Sequence, residues 1–317
     1  MHSNMINLRE RKLGWKPDSC DDRDYCFNPR RYRSINYPED MDLLPIKVDF
    51  REIYTLPPIQ DQGNLGSCTA HAVAFLFQLD EITQNINFFD PSRLFIYYNT
   101  RVLEGTTNYD SGAEIRTTIK SINKFGACNE ISWLYDFKKF IMKPPQHCYD
   151  EAKIYTSLLY RKVEQNILSL KNALLDGNAI AFGFMVSESL NDITDDGIMP
   201  IPNDSLIGGH AVVIVGYDDE KIMKDGTKGS FIIRNSWGIG WGEQGYFYMP
   251  YNFVIDKKYC LDFWVIGQLN NGINSSHLSD DKNPIKELQH RLLTNENNIK
   301  LLANKIDSLL KILSKRK

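Results

Sequence analysis

The chain has 317 residues, 42% of them hydrophobic, and a formal net charge of −3, enough apolar material for about two lobes plus extensions and no excess of basic charge to point to specific nucleic-acid binding. No apolar run approaches the roughly 20 residues needed to cross a bilayer. Six cysteines in a chain of this length do not make a disulfide framework, so reduced thiols are the default.

Residues 1–44 are charged and proline-punctuated, centred on Trp15-Lys16-Pro17-Asp18-Ser19-Cys20-Asp21-Asp22-Arg23-Asp24-Tyr25. Such a segment cannot build a core of its own and reads as an arm lying on the rest of the chain. Its first dozen residues, with Arg9, Glu10, Arg11 and Lys12, hold no apolar signal-peptide core, so a cytoplasmic setting is expected.

The next stretch, Gln62-Gly63-Asn64-Leu65-Gly66-Ser67-Cys68-Thr69-Ala70-His71-Ala72, sets one cysteine after a glycine-rich bend and before a run of helix formers. A helix N-terminus offers unpaired N–H groups and the positive end of a dipole, and both favour a thiolate at Cys68. Gly63 and Gly66 allow close backbone approach, and the Gln62 amide can donate to the oxygen of a carbonyl under attack. A lone cysteine at a helix start is more often a small buried hydrophobe, so the assignment depends on finding partners. The apolar stretch 69–84 predicts a helix through the middle of the first lobe, burying Val73, Phe75, Leu76 and Leu79. His71, on the same helix, is expected to pack or hydrogen-bond within the domain.

Farther on, residues 168–175 followed by Gly177 read as a helix with a glycine stop, and 179–186 as a strand. Gly208-Gly209-His210 then precedes the β-branched run Ala211-Val212-Val213-Ile214-Val215, which places a histidine at the entrance of a buried strand about 140 residues after Cys68. Another such run, Phe231-Ile232-Ile233-Arg234, ends in Asn235-Ser236-Trp237-Gly238, followed by Trp241-Gly242 and Gly245-Tyr246. Asn235 can hold the far ring nitrogen of His210 while Trp237 shields that bond from water, and Trp237 and Trp241 also serve as core aromatics. Taken singly, His210 reads as a structural histidine and Asn235 as a turn residue. Together with Cys68 they make a Cys–His–Asn arrangement.

At these residues the chain resembles the papain-like cysteine peptidases: Gln62, the glycine-rich turn, Gly66-Ser67-Cys68, Gly209-His210-Ala211, Asn235-Ser236-Trp237-Gly238 and Trp241-Gly242 with Gly245-Tyr246 occur in the family's order. Val48-Asp49-Phe50-Arg51 resembles the start of the mature enzyme, so the resemblance covers roughly 45–268. The 61–70 segment and Pro91-Ser92-Arg93-Leu94-Phe95-Ile96-Tyr97-Tyr98 look like the xylellain-like branch of bacteria and some viruses. Leu65 stands where many relatives carry a disulfide cysteine, which argues against an obligatory disulfide. Thr69 replaces the usual tryptophan after the nucleophile, which implies a reshaped floor on the primed side.

The resemblance implies an α+β, two-lobed papain-like fold, with a helical lobe carrying Cys68 and a β-barrel-like lobe carrying His210 and Asn235. It implies peptide hydrolysis through a Cys68, His210, Asn235 triad and an acyl-enzyme, with Gln62 in the oxyanion hole and Gly66, Ser111, Gly112, Gly209 and Trp237 at the substrate. Extended peptides would add as a strand along Asp110-Ser111-Gly112. No metal or organic cofactor is implied. Acyl or peptidyl transfer on the same fold, and a catalytically silent peptide-binding scaffold, are the competing readings. Residues 1–44 then become an arm or a short propeptide crossing the groove, with Cys20 or Cys26 within reach of Cys68, and 45–268 the peptidase domain. For a viral chain, the host cytoplasm or the virion would be the setting.

After a linker at 269–283, residues 284–317 repeat Ile285, Leu292, Ile299, Ile306 and Leu313 every seven residues, with Leu288, Asn295, Leu302 and Leu309 three residues behind. This a/d pattern predicts an amphipathic coiled-coil helix, with one core Asn to fix register, that self-associates or docks on a partner helix, the alternative being a solvated amphipathic helix folded back on its own chain.

Overall fold

A computed structural model describes Leu8 and residues 11–27, 44–84, 89–153, 156–202 and 205–270. The expected coiled coil at 284–317 lies outside the described residues, as does the linker beyond 270. The first elements are strand β1 (Lys47–Asp49) and helix α1 (Phe50–Ile53), joined where Asp49 accepts from the Arg51 N–H at 3.0 Å. Helix α2 (Cys68–Thr83) comes next and is buried on nearly every face, because it runs between the helices and the sheet. Val73, Phe75, Leu76 and Leu79 are all in the core, and the helix begins one residue before the expected 69.

Helices α3 (Arg93–Glu104), α4 (Ile115–Phe125) and α5 (Gln146–Ala152) complete the helical lobe. Ser92 caps α3 through the Phe95 N–H at 3.2 Å, and Gly105 ends it in the left-handed region at φ 72°. Arg101 of α3 is fully buried over the Tyr97 ring and donates to the carbonyls of Thr107 and Tyr109 at 3.1 Å each. It thereby fixes the loop that presents Gly112.

The second lobe is antiparallel. Strands β2 (Thr156–Lys162), β3 (Ile180–Ser187), β4 (Leu206–Ile222), β5 (Lys228–Arg234), β6 (Tyr246–Pro250) and β7 (Cys260–Asn270) pair in the order β2-β7-β3-β4-β5-β6, with β1 added on β4. Helix α6 (Ile167–Leu175) precedes β3, and α7 (Tyr251–Ile255) joins β6 to β7. Two expectations shift here. His210 is not at the entrance of its strand but inside it, because 206–209 continue the ladder with β3 and set His210 opposite Phe184. Strand β7 extends to Asn270, so the domain runs past the expected boundary at 268.

Arg234, at the end of β5, ties the two lobes. Buried to 6% exposure, it lies over the Phe75 ring of α2 at 4.3 Å and donates to the carbonyls of Pro57 and Pro58 and to the Tyr246 hydroxyl. Replacing it by Ala leaves the buried Pro57 carbonyl and two part-buried acceptors without this donor and removes the contact with Phe75, and is expected to cost about 3 kcal/mol. A denaturant midpoint unchanged from wild type would contradict this role.

Candidate active site

Cys68 is the first residue of α2 and is fully buried. The residue before it, Ser67, does not cap the helix; its hydroxyl instead pairs with Tyr135 at 2.6 Å and His71 Nδ1 at 3.4 Å. The helix end is therefore left without a side-chain cap, and the partial charge there acts on the sulfur. The backbone N–H of Ala211, the residue after His210, also acts on it, which sets the sulfur beside β4.

His210 Nε2 lies 2.8 Å from Asn235 Oδ1, and that same oxygen accepts from the Ser236 N–H at 2.8 Å. An oxygen already accepting one N–H accepts the second as well, so Nε2 carries the ring proton and Nδ1 is the basic nitrogen. Among the described residues Nδ1 has no hydrogen-bond partner. Trp237 stacks on the imidazole at 4.5 Å and 25°, and Trp241 meets Trp237 edge-on at 5.0 Å. This is the arrangement expected for the His–Asn pair and its aromatic cover.

Gln62 is fully buried and its amide is oriented by three contacts. Oε1 accepts from the Ser236 hydroxyl at 2.7 Å, while Nε2 donates to the Leu65 carbonyl at 2.9 Å and to the Lys12 carbonyl at 3.1 Å. The amide is thus held ready to donate, and its second hydrogen is spent on the arm.

Residues 11–27 cross the groove. Gly14 packs so tightly between Gly66 and Gly112 that a Cβ on it would overlap the Gly66 backbone. Gly14 O accepts from the Ala113 N–H at 2.7 Å and the Lys16 N–H donates to Ala113 O at 3.0 Å, a parallel pairing. The Trp15 N–H donates to Gly209 O at 3.0 Å. Its indole lies against Gly183 and Gly209, where a Cβ on either would collide with it, and Nε1 reaches Asp262 Oδ2 at 3.2 Å. Ion pairs Arg11–Asp61, Lys12–Asp110 and Lys16–Glu104 flank the crossing.

Gly66, Gly112 and Gly209 therefore all lie against residues 14 and 15 of the arm. Ser111 does not face it: its hydroxyl is held by Thr106 at 2.8 Å and the Gly112 carbonyl at 2.8 Å. Thr69 is fully buried and accepts from Thr118 of α4 at 3.1 Å, so it packs inside the helical lobe instead of forming an open floor. His71, buried beside Ser67, Tyr135 and Arg93, is pushed down to about 3 by burial, as befits a neutral packing residue. Cys20 and Cys26 are exposed, Cys68 is not, and all six thiols are free, so neither arm cysteine meets Cys68. Sequence reasoning missed Gly183, Tyr135 and Asp262; the last holds φ 61°, a conformation no motif announces.

The thiolate expected at Cys68 is not what this arrangement favours. Burial pushes the thiol up to about 11, against the pull of the nearby N–H groups of Ala211 and Gly14, and pushes His210 down to about 4 despite the Asn235 bond. With the arm seated, the neutral thiol and neutral imidazole are the stable forms.

Comparison with known proteins gives the family. The model of the papain family cysteine proteases matches residues 44–260, and the chain belongs to that family: it is a cysteine-type peptidase. It is 46% identical over 252 residues to an uncharacterized peptidase C1-like protein of Acanthamoeba polyphaga mimivirus, covering 74% of this chain and 79% of that one. Among solved structures, xylellain, a cysteine protease from Xylella fastidiosa, matches with a TM-score of 0.70 and 38% identity, over 82% of this chain and 97% of that one. Procathepsin L 3 from the larval midgut of Tenebrio molitor shares the fold, with a TM-score of 0.59 at 17% identity over 83% of this chain and 78% of that one.

Because Gly14 has no room for a side chain, Gly14→Val should lift the arm while leaving the domain core untouched. Alkylation of Cys68 by iodoacetamide should then rise at least about tenfold at pH 7, the equivalent of ~1.4 kcal/mol in arm docking. Equal alkylation rates would refute a seated arm.

Proposed function

We propose that the chain is an endopeptidase that cleaves peptide bonds through Cys68, His210 and Asn235, and that residues 1–44 hold it in a latent state. The observation that carries this reading is the amide of Gln62: oriented by Ser236 and Leu65, it spends its remaining hydrogen on a backbone carbonyl of the arm. A substrate carbonyl would take that place once the arm leaves.

With the groove open, water returns to the pair and the proton moves from Cys68 to Nδ1 of His210, the nitrogen left basic by the Asn235 bond. The thiolate attacks the scissile carbonyl, and Gln62 Nε2 with the Cys68 backbone N–H stabilises the oxyanion. His210 then gives its proton to the leaving amine, and water attacks the acyl-enzyme with His210 as base. Asn235 holds the ring in one tautomer and Trp237 keeps water from that bond. Backbone groups of Gly66, Gly112 and Gly209 line the substrate, and the slot now filled by Trp15 takes a large side chain, with Asp262 at its end favouring one that carries an N–H donor or a positive charge. The mimivirus relative supports the viral alternative for the source, with action in the host cytoplasm or the virion.

A thiol-reactive peptidyl epoxide should modify Cys68 and no other cysteine once residues 1–40 are removed, and Cys68→Ala should take no label. Absence of label on the trimmed chain would count against the enzyme. Gln62→Ala should lower kcat by about 10² to 10³, whereas a change confined to KM would remove Gln62 from the oxyanion hole. Deleting 1–40 should raise hydrolysis of a small peptide substrate, and unchanged hydrolysis would count against latency.

A further inference from the structure

One hydroxyl joins the two segments that carry the proposed oxyanion donors. The Tyr135 hydroxyl lies 2.8 Å from the carbonyl oxygen of Gln62 and 2.6 Å from the hydroxyl of Ser67. A carbonyl only accepts, so Tyr135 donates its proton to Gln62, and the Ser67 hydroxyl then donates to Tyr135. Burial pushes the Tyr135 phenol up, so that proton stays in place at neutral pH. Gln62 bears the side-chain amide, and Ser67 leads into the peptide that supplies the Cys68 N–H. Between them the bend is closed by the Leu65 carbonyl, which accepts from the Ser67 N–H at 2.7 Å and from Gln62 Nε2 at 2.9 Å.

Tyr135 is itself held from behind. Its N–H donates to Glu130 Oε1 at 2.6 Å, and Glu130 Oε2 pairs at 3.0 Å with the guanidinium of Arg93, the first residue of α3. Ser92, which caps that helix, donates its hydroxyl to the Trp133 carbonyl at 2.6 Å and its N–H to the Cys128 carbonyl at 2.8 Å. The Tyr135 ring meets His71 of α2 edge-on at 5.0 Å. The head of α3 therefore fixes residues 128–135, and Tyr135 carries that rigidity to the bend before Cys68. Ser92 and Arg93, part of the segment that resembles the xylellain-like branch, thereby act on the site without touching substrate. From the β lobe, Ser236 O accepts from the Gln62 N–H at 2.9 Å and the Ser236 hydroxyl donates to Gln62 Oε1 at 2.7 Å. Gln62 is thus set between one residue of each lobe.

We propose that Tyr135 is a positioning residue for catalysis, fixing the Gln62 amide relative to the Cys68 N–H so that both reach one oxyanion. This rests on the oxyanion role given to Gln62 above. Donors stabilise an oxyanion only when they point at the place it will occupy, about 2.7 to 3.1 Å away. Removing the Tyr135 hydroxyl leaves the ring in place but frees both segments to shift, and a misplacement of about 1 Å can cost about 10² in rate. Displacement of iodide by the Cys68 sulfur needs no oxyanion donor, so alkylation by iodoacetamide reads the nucleophile apart from this effect.

The test compares Tyr135→Phe and Gln62→Ala, singly and together, in the full chain carrying Gly14→Val to lift the arm, with hydrolysis counted per Cys68 that a peptidyl epoxide labels. Tyr135→Phe should lower kcat about tenfold, with KM and the alkylation rate of Cys68 changed by less than about twofold. In the Gln62→Ala background the same substitution should cost no more than about threefold, because one of the two donors it aligns is gone. An unchanged kcat, a fall in alkylation that matches the fall in kcat, or the same factor in both backgrounds overturns the positioning role. If Gln62→Ala leaves kcat unaltered, the oxyanion role itself is wrong and this role falls with it. If Gln62→Ala lowers kcat while Tyr135→Phe gives any of the overturning results, the positioning role alone is wrong.

Discussion

The hydrogen bond between His210 Nε2 and Asn235 Oδ1 is the constraint around which the molecule is arranged. It decides which ring nitrogen is basic, and it lasts only where water cannot compete and where two strands hold a fixed register. Trp237 supplies the first condition by stacking on the imidazole, with Trp241 behind it. The β4–β5 ladder supplies the second: Val213 opposite Arg234 places Asn235 one residue beyond the last pair and within reach of His210. Arg234 then fastens that strand end to Phe75 on the helix that begins with Cys68. Cys68 opens α2, His210 lies in β4 and Asn235 follows β5, and one buried guanidinium joins the two lobes that carry them.

The arm uses this machinery without opposing it. Its carbonyl lies on the Gln62 amide, its backbone pairs with Ala113, and its tryptophan fills the slot beside Gly209. These contacts pair backbone and side-chain polar groups of Gln62, Ala113, Gly209 and Asp262, while His210 Nδ1 is left without a partner among the described residues. Flanking ion pairs are half exposed and contribute about 0 to 1 kcal/mol each. The hold comes mainly from the buried indole, worth about 1.5 to 3 kcal/mol or more by area, and from backbone bonds in a dry groove.

Much of the site was legible in the sequence because its chemistry demands particular residues at particular places. A cysteine at a helix start, a histidine beside glycines before a β-branched run, and Asn-Ser-Trp after another such run are local patterns, and the fold sets Asn235 2.8 Å from His210 and the Ala211 N–H beside Cys68. What was not legible depends on tertiary register. That His210 lies within β4 comes from pairing of 206–209 with β3, which apolar periodicity does not encode. That Ser111 turns away depends on Thr106, and Thr69 on Thr118 of another helix. Asp262 reads as a lone acid in an apolar strand; only its left-handed backbone aims it at the arm. The thiolate preference failed for a different reason. Helix position and glycines speak for an anion, but the burial that opposes it is a tertiary property of the folded chain and not of the local segment.

That burial also bears, under the proposed mechanism, on how a peptide carbonyl can rest on the Gln62 amide without being cut. Gln62 offers the Lys12 carbonyl the same amide hydrogen it would offer a substrate, so binding alone does not separate a cover from a substrate. The difference lies in the charge state of the nucleophile. Cys68 is fully buried and burial pushes its thiol up to about 11, while His210 at about 4 is a poor acceptor for its proton. Forming the ion pair under the arm then requires a proton transfer that is unfavourable by both shifts at once. A segment that seats itself this tightly disables the chemistry it contacts, and a looser peptide that admits water to the pair does not. Gly14 is the residue whose lack of a side chain lets the arm close against Gly66 and Gly112.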